Sequence, residues 1–303
     1  MVAALYAGGG PAPSSISGWW RRQAPAKMVD VRRADATFLS LVLAAAISGC
    51  ARSEGTTAPN PERGPSMAEL DRDLTAVAGA RVYFNHQSVG FNILHGVERL
   101  GKVPITQAKL DAPAAFGDKG IVHTTLGVNT DPASKIEGFR QALTAMPEPP
   151  DVALMKFCYI DFDQRTDSGA LFARYKQTLD ELARRFPTTR FMHVTVPLVV
   201  AKPKWKRVIK DALGRGDDSY ANARRDAFSE LVRQTYPPER VFDLARVEST
   251  RRDGSTEGFE RDGRQIPALV AGYSDDGAHL DPAGQDLAAR AFVQKIAAVL
   301  RAR

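Results

Sequence analysis

Two segments of this chain combine residue types and spacings suited to nucleophilic and acid–base chemistry. The first is Asn85-His86-Gln87-Ser88-Val89-Gly90, which follows the β-like run Arg81-Val82-Tyr83-Phe84 and leads into Phe91, Ile93, Leu94 and Val97 at helical spacing. A serine at a strand-to-helix turn projects its Oγ from the sheet edge, and the N–H of Val89 or Gly90 at the helix start can face a developing oxyanion. Ser88 can equally be a plain helix N-cap. The second segment is Asp275-Asp276-Gly277-Ala278-His279-Leu280-Asp281-Pro282-Ala283-Gly284. Asp276 and His279 are three residues apart in a loop, so one turn of chain can bring the carboxylate onto the imidazole, fix its tautomer and leave the other ring nitrogen for a nucleophile. Alone, such a pair is more often a cap or a surface contact. Together with Ser88 it outlines a Ser-His-Asp set.

The elements that must position these residues are legible as alternating runs. Ser66 and Glu69 form a capping-box pattern ahead of Met67, Leu70, Leu74 and Val77, which predicts an opening helix. β-like runs at 81–84, 121–125, 151–157, 190–196 and 240–244 alternate with helix-period stretches such as 171–185 and 222–234. Asp281-Pro282 caps a last helix carrying Leu287, Phe292, Ile296 and Leu300. This alternation predicts one domain over residues 66–303, a parallel sheet covered by helices on both faces, without an internal repeat or a second-domain linker. Residues 202–220, with Lys202-Pro203-Lys204-Trp205-Lys206-Arg207, read as a polar excursion, either a solvated face or a substrate-covering loop. In open α/β sheets ligands bind beyond the carboxyl ends of the strands, so the residues just after each run are the candidates for chemistry.

The N-terminus reads as targeting rather than fold. Arg32-Arg33 followed by apolar Phe38 to Ile47 has the layout of a secretory signal, too short to span a bilayer as a helix. The run ends Ile47-Ser48-Gly49-Cys50, which resembles a bacterial lipobox and makes Cys50 the expected lipidation site; a plain signal peptide or an N-terminal membrane anchor is the alternative. Residues 1–27 are expected to lie outside the native product, with Met28 as the start, 28–49 as the signal and 50–65 as a polar, proline-punctuated tether. The expected location is the bacterial cell envelope, periplasm-facing or at the surface, with a membrane contact through the lipid anchor. Residues 1–49 carry five Lys/Arg against two Asp, so only +3 of the +6 net charge belongs to the remainder, and charge implies no nucleic-acid partner. Two cysteines, Cys50 and Cys158, exclude a disulfide framework.

A serine after the first strand and D-x-x-H-L-x-x-x-G before the last helix resemble the SGNH/GDSL hydrolases, over roughly residue 81 to the end. The resemblance implies a three-layer α/β/α fold with a mainly parallel, flavodoxin-like sheet, and an esterase acting on acylated glycans or lipids, with Ser88 as nucleophile, His279 as general base, Asp276 as its orienter, and no metal or organic cofactor. The chain departs from that pattern in two segments. The family's G-D-S is His86-Gln87-Ser88 here, which leaves His86 as either a substrate contact or a structural histidine. Where the family has G-x-N-D the chain reads Cys158-Tyr159-Ile160-Asp161, without the oxyanion Asn, a loss of about 2.7–4 kcal/mol of transition-state stabilisation if nothing replaces it. Asn129, after the run 121–125 and Gly127, is the candidate substitute, or else a turn residue; Asp161 is a further substrate candidate.

His123 and His193 fall inside β-runs, where hydrogen-bonded interior or surface positions are expected, and no paired spacing supports a metal site from His86, His123, His193 and His279. Cys158 reads as a small buried hydrophobe rather than a nucleophile. Two non-catalytic alternatives stay open: a polysaccharide-binding module of the same fold, and an envelope assembly lipoprotein that presents an apolar patch to protein partners.

Overall fold

The computed structural model describes residues 66–111, 116–206, 209 and 218–302. Residues 1–27, the expected signal at 28–49, Cys50 and the expected tether up to residue 65 lie outside the described residues. Helix α1 (Met67–Gly79) begins with the capping box, in which Ser66 N–H donates to Glu69 Oε2 at 2.7 Å and Glu69 N–H donates to Ser66 Oγ at 3.2 Å. The chain continues through β1 (Arg81–Asn85), α2 (Val89–Leu100), β2 (Ile105–Gln107), β3 (Gly120–Thr124), α3 (Pro132–Ala145), β4 (Val152–Met155), α4 (Ser168–Arg185), β5 (Arg190–Val194), α5 (Asn222–Thr235), β6 (Val241–Phe242), α6 (Leu244–Ser249), the hairpin β7 (Gly258–Arg261) and β8 (Arg264–Pro267), and α7 (Pro282–Arg301). Aspartates cap α3, α4, α6 and α7, each accepting the N–H of the third residue into its helix.

The six main strands form one parallel sheet in the order β2-β3-β1-β4-β5-β6, with helices on both faces: a three-layer α/β/α, flavodoxin-like architecture. Alternation along each strand divides the apolar side chains between two cores. Val82 and Phe84 of β1, Val152 and Leu154 of β4 and Met192 of β5 pack beneath α1, α2 and α7; Tyr83, Ala153, Met155 and Phe191 pack beneath α3, α4 and α5. Gly96 lets α2 lie directly on α7, since a Cβ there would meet Gln285 O at 2.5 Å and Ala289 Cβ at 2.6 Å.

The central strand is β1. The chain leaves it first to β2 and β3 on one side, then crosses to β4, β5 and β6 on the other, so the strand order reverses at β1. A crevice opens at such a reversal beyond the carboxyl ends of the strands. Strand β2, helix α3, the short α6 and the β7–β8 hairpin were not expected from the sequence, and β6 keeps only two residues of its run. Strand β2 is a three-residue edge strand with partly exposed side chains, and such a piece leaves little periodic signal.

Candidate active site

Ser88 follows β1 directly, and the turn holds it at φ 49°, ψ −105°, a positive φ that a non-glycine residue adopts only under constraint. Ser88 stands at the N-cap position of α2, but its side chain makes no capping bond there. Instead Ser88 Oγ lies 2.5 Å from His279 Nε2. His279 Nδ1 is 2.6 Å from Asp276 Oδ2, and Asp276 Oδ1 accepts the N–H groups of Ala278 and His279 at 2.8 and 2.7 Å. Desolvation opposes the charge on Asp276, but the hydrogen bonds from the His279 ring, the His279 N–H and the Ala278 N–H outweigh it and hold the carboxyl well below the ordinary carboxylate range. With the carboxylate fixed on Nδ1, Nε2 faces Ser88 as a proton acceptor.

Two strands and a helix hold this chain of three side chains in register. Leu280 N–H donates to Asn92 Oδ1 of α2 at 3.1 Å, and Val200 N–H donates to Gly277 O at 2.8 Å, so the loop 274–281 is fastened to α2 and to the segment after β5. On the other flank Gln87 Nε2 donates to Gly127 O at 2.6 Å, and the buried Asn85 accepts from Leu126 N–H (2.9 Å) and Thr124 Oγ1 (2.8 Å). Asn85, Gln87 and Asn92 are thus positioning residues that were not singled out from the sequence. Their signal was a polar residue set in an apolar strand end or helix face.

The other candidates divide. Gly90 N–H donates to Gln87 O at 3.0 Å inside the turn, which corrects its assignment as an oxyanion donor. Ser88 and Val89 N–H, at the start of α2, have no acceptor among the described residues. His86 is 1% exposed, packed between Phe84, Phe91 and His123, with Nε2 3.0 Å from His123 Nδ1. Burial, then the neighbouring His123 and Lys156, push its pKa well below 6.5, and its role as a substrate contact is corrected to a structural one. It also fixes the residue two positions past Ser88: a Cβ on Gly90 would meet His86 Nδ1 at 2.2 Å.

Asp161 is likewise corrected. Its carboxylate accepts Lys135 Nζ at 2.6 Å and Cys158 N–H at 2.7 Å, both buried, and Thr130 N–H at 3.0 Å. Lys135 Nζ also donates to Asn129 Oδ1 at 2.9 Å. The acid of the segment Cys158-Tyr159-Ile160-Asp161 is therefore spent on Lys135, on the segment's own first N–H and on Thr130 of the loop 127–131, and Asn129 stands on that loop, exposed, with its amide oxygen engaged. Cys158 is 1% exposed, in keeping with a buried apolar role. The histidines do not converge on one point: His86 pairs with His123, His193 with Tyr175 Oη, and His279 with Ser88 and Asp276. A broad groove of about 1650 Å³ lies elsewhere, lined by Arg72, Arg246, Arg252 and Lys295 among others, and contains none of Ser88, Asp276 and His279.

No family model matches the chain, and no curated protein does. Among solved structures it is similar to a Streptococcus pneumonia protein described as a platelet activating factor, at 14% identity and a TM-score of 0.43, over 74% of this chain and 87% of that one. It is also similar to the periplasmic domain of a lipopolysaccharide acetyltransferase from Salmonella ser. Paratyphi A, at 13% identity and a TM-score of 0.36, over 74% and 86% of the two chains. At these values neither likeness assigns a reaction.

Proposed function

We propose that this protein is a serine hydrolase of the SGNH type, cleaving a carboxylic ester of an acylated glycan or lipid, and that it is exported and held in the cell envelope by lipidation at Cys50. The observation that carries the reading is the continuous chain Ser88 Oγ, His279 Nε2, His279 Nδ1, Asp276 Oδ2, with both links at or below 2.6 Å. The strained backbone at Ser88 and the half-exposed ring of His279 add to it, since a nucleophile and its base must meet substrate.

In this mechanism Ser88 Oγ attacks the ester carbonyl carbon while His279 Nε2 takes the hydroxyl proton, and Asp276 stabilises the imidazolium. The oxyanion is met by the N–H groups of Ser88 and Val89 and by the Asn129 amide. The intermediate collapses as His279 returns the proton to the departing alcohol oxygen, leaving an acyl-Ser88 ester. Water, deprotonated by His279, then attacks that ester and releases the carboxylic acid and free Ser88. The chemistry uses only these side chains and main-chain donors.

The test is covalent labelling of the purified chain by a fluorophosphonate, read by peptide mass spectrometry, with Ser88→Ala and His279→Ala alongside. Modification at Ser88 that disappears in the His279 variant supports the reading. A folded protein left unlabelled at Ser88 turns it into the non-catalytic, glycan-binding alternative.

A further inference from the structure

Six large hydrophobic side chains stand exposed among the described residues, and four of them belong to loops that leave the carboxyl ends of the strands. Val128 (65% exposed) follows β3, Ile160 (46%) follows β4, and Trp205 (62%) and Ile209 (51%) follow β5. In a parallel sheet those ends share one edge, the edge on which Ser88 follows β1. The β5 segment is also fastened to the site: Val200 N–H donates to Gly277 O, between Asp276 and His279. Trp205 itself lies in a short helical turn with Lys204 and Lys206, all three exposed, and Lys206 Nζ stands 5.2 Å from the indole centroid.

A solvated face accounts for the lysines but not for an exposed tryptophan between them. Tryptophan flanked by lysines has the chemistry of a bilayer boundary: the indole settles at headgroup depth while the ammonium groups meet anionic headgroups. We propose that this edge docks on the surface of an anionic phospholipid bilayer, with Trp205, Lys204 and Lys206 as the contact and Val128, Ile160 and Ile209 beside it, so that the Ser88 crevice opens onto the lipid surface. The docking is separate from hydrolysis and from any acyl anchor. The basic groove that holds Arg246 and Arg252 is the competing surface for the same lipid.

The experiment is co-sedimentation of the full chain carrying Cys50→Ala, so that no acyl chain contributes, with vesicles of phosphatidylcholine alone or mixed with phosphatidylglycerol. The expected result is binding to the mixed vesicles only. Each of Lys204→Ala and Lys206→Ala weakens it about fivefold, and Trp205→Ala weakens it about tenfold. In a Trp19→Phe, Trp20→Phe background Trp205 is the sole tryptophan, and its emission moves to shorter wavelength on the mixed vesicles. The proposal is overturned by absence of binding, by equal binding to both vesicle types, by unchanged binding of the Trp205 and lysine variants, or by loss of binding in Arg246→Ala/Arg252→Ala instead. Ser88→Ala binds vesicles like the parent, and fluorophosphonate labelling is read without lipid, so failure of docking and failure of the hydrolase reading are told apart.

Discussion

Lys135 Nζ and Asp161 Oδ2 lie 2.6 Å apart with side-chain exposures of 2% and 0%, and this pair, from α3 and the turn after β4, fixes the loop that carries Asn129. Removing one partner leaves the other charge buried. Lys135→Met is expected to cost about 3–5 kcal/mol, the range for breaking a buried pair. Urea denaturation checks it, and a change near zero would mean that the pair is not dry.

Asp276 has its role only through His279. Asp276→Asn keeps the size of the side chain but presents an amide to Nδ1, which favours the wrong tautomer, so ester turnover should fall by about 10⁴-fold with the fold intact. Steady-state hydrolysis of a chromogenic short-chain ester, with circular dichroism of the same sample, measures both. Activity within tenfold of the parent would remove Asp276 from the mechanism.

Asn129→Ala tests the oxyanion assignment. If its amide meets the developing charge, kcat falls by about 10²–10³-fold with little change in KM. A rise in KM alone would make Asn129 a ground-state binding residue.

Acid should destabilise the fold through buried neutral histidine. His193 on β5, hydrogen-bonded to Tyr175, is pushed down to about 3, chiefly by burial and then by the charge of Arg240. Below pH 6.5 the unfolded chain takes up a proton that the folded chain refuses until about pH 3. The stability associated with this site is therefore complete above pH 6.5 and is lost progressively as pH falls through that window, by roughly 1 kcal/mol per unit. Urea midpoints between pH 6.5 and 4 should fall less steeply in His193→Gln than in the parent. Parallel slopes would show that His193 takes its proton in the fold.

Gly96 is expected to be intolerant for a packing reason. A Cβ there meets main-chain Gln285 O at 2.5 Å, so Gly96→Ala must push α2 and α7 apart, at about 1–3 kcal/mol. The thermal midpoint reads the loss. Because α2 carries Asn92 and α7 follows the His279 loop, the labelling rate of Ser88 should fall with it.

What the sequence by itself determined was local. The capping box at Ser66, the Asp281-Pro282 cap and the alternation of runs announced α1, α7 and the parallel sheet, because caps and periodicity act over a few residues. Asp276 and His279 were legible as a pair for the same reason. Among the segments missed, β2 and α6 are too short for a period to recur, whereas in α3 the buried face includes Lys135 and Gly138, which break the apolar pattern.

Only the tertiary structure decided which side chains meet. Ser88 and His279 are 191 residues apart and come together because β1 is central in the sheet and α7 packs on α2. The same packing removed three sequence candidates. His86 is turned under α2, Gly90 N–H is used within its own turn, and Asp161 is taken by Lys135. His86 and Asp161 were chosen for a residue type suited to chemistry, and Gly90 for its N–H at the helix start. Which way a side chain faces, and whether its polar atoms are already satisfied, depends on neighbours far along the chain, and burial leaves few such groups unpaired.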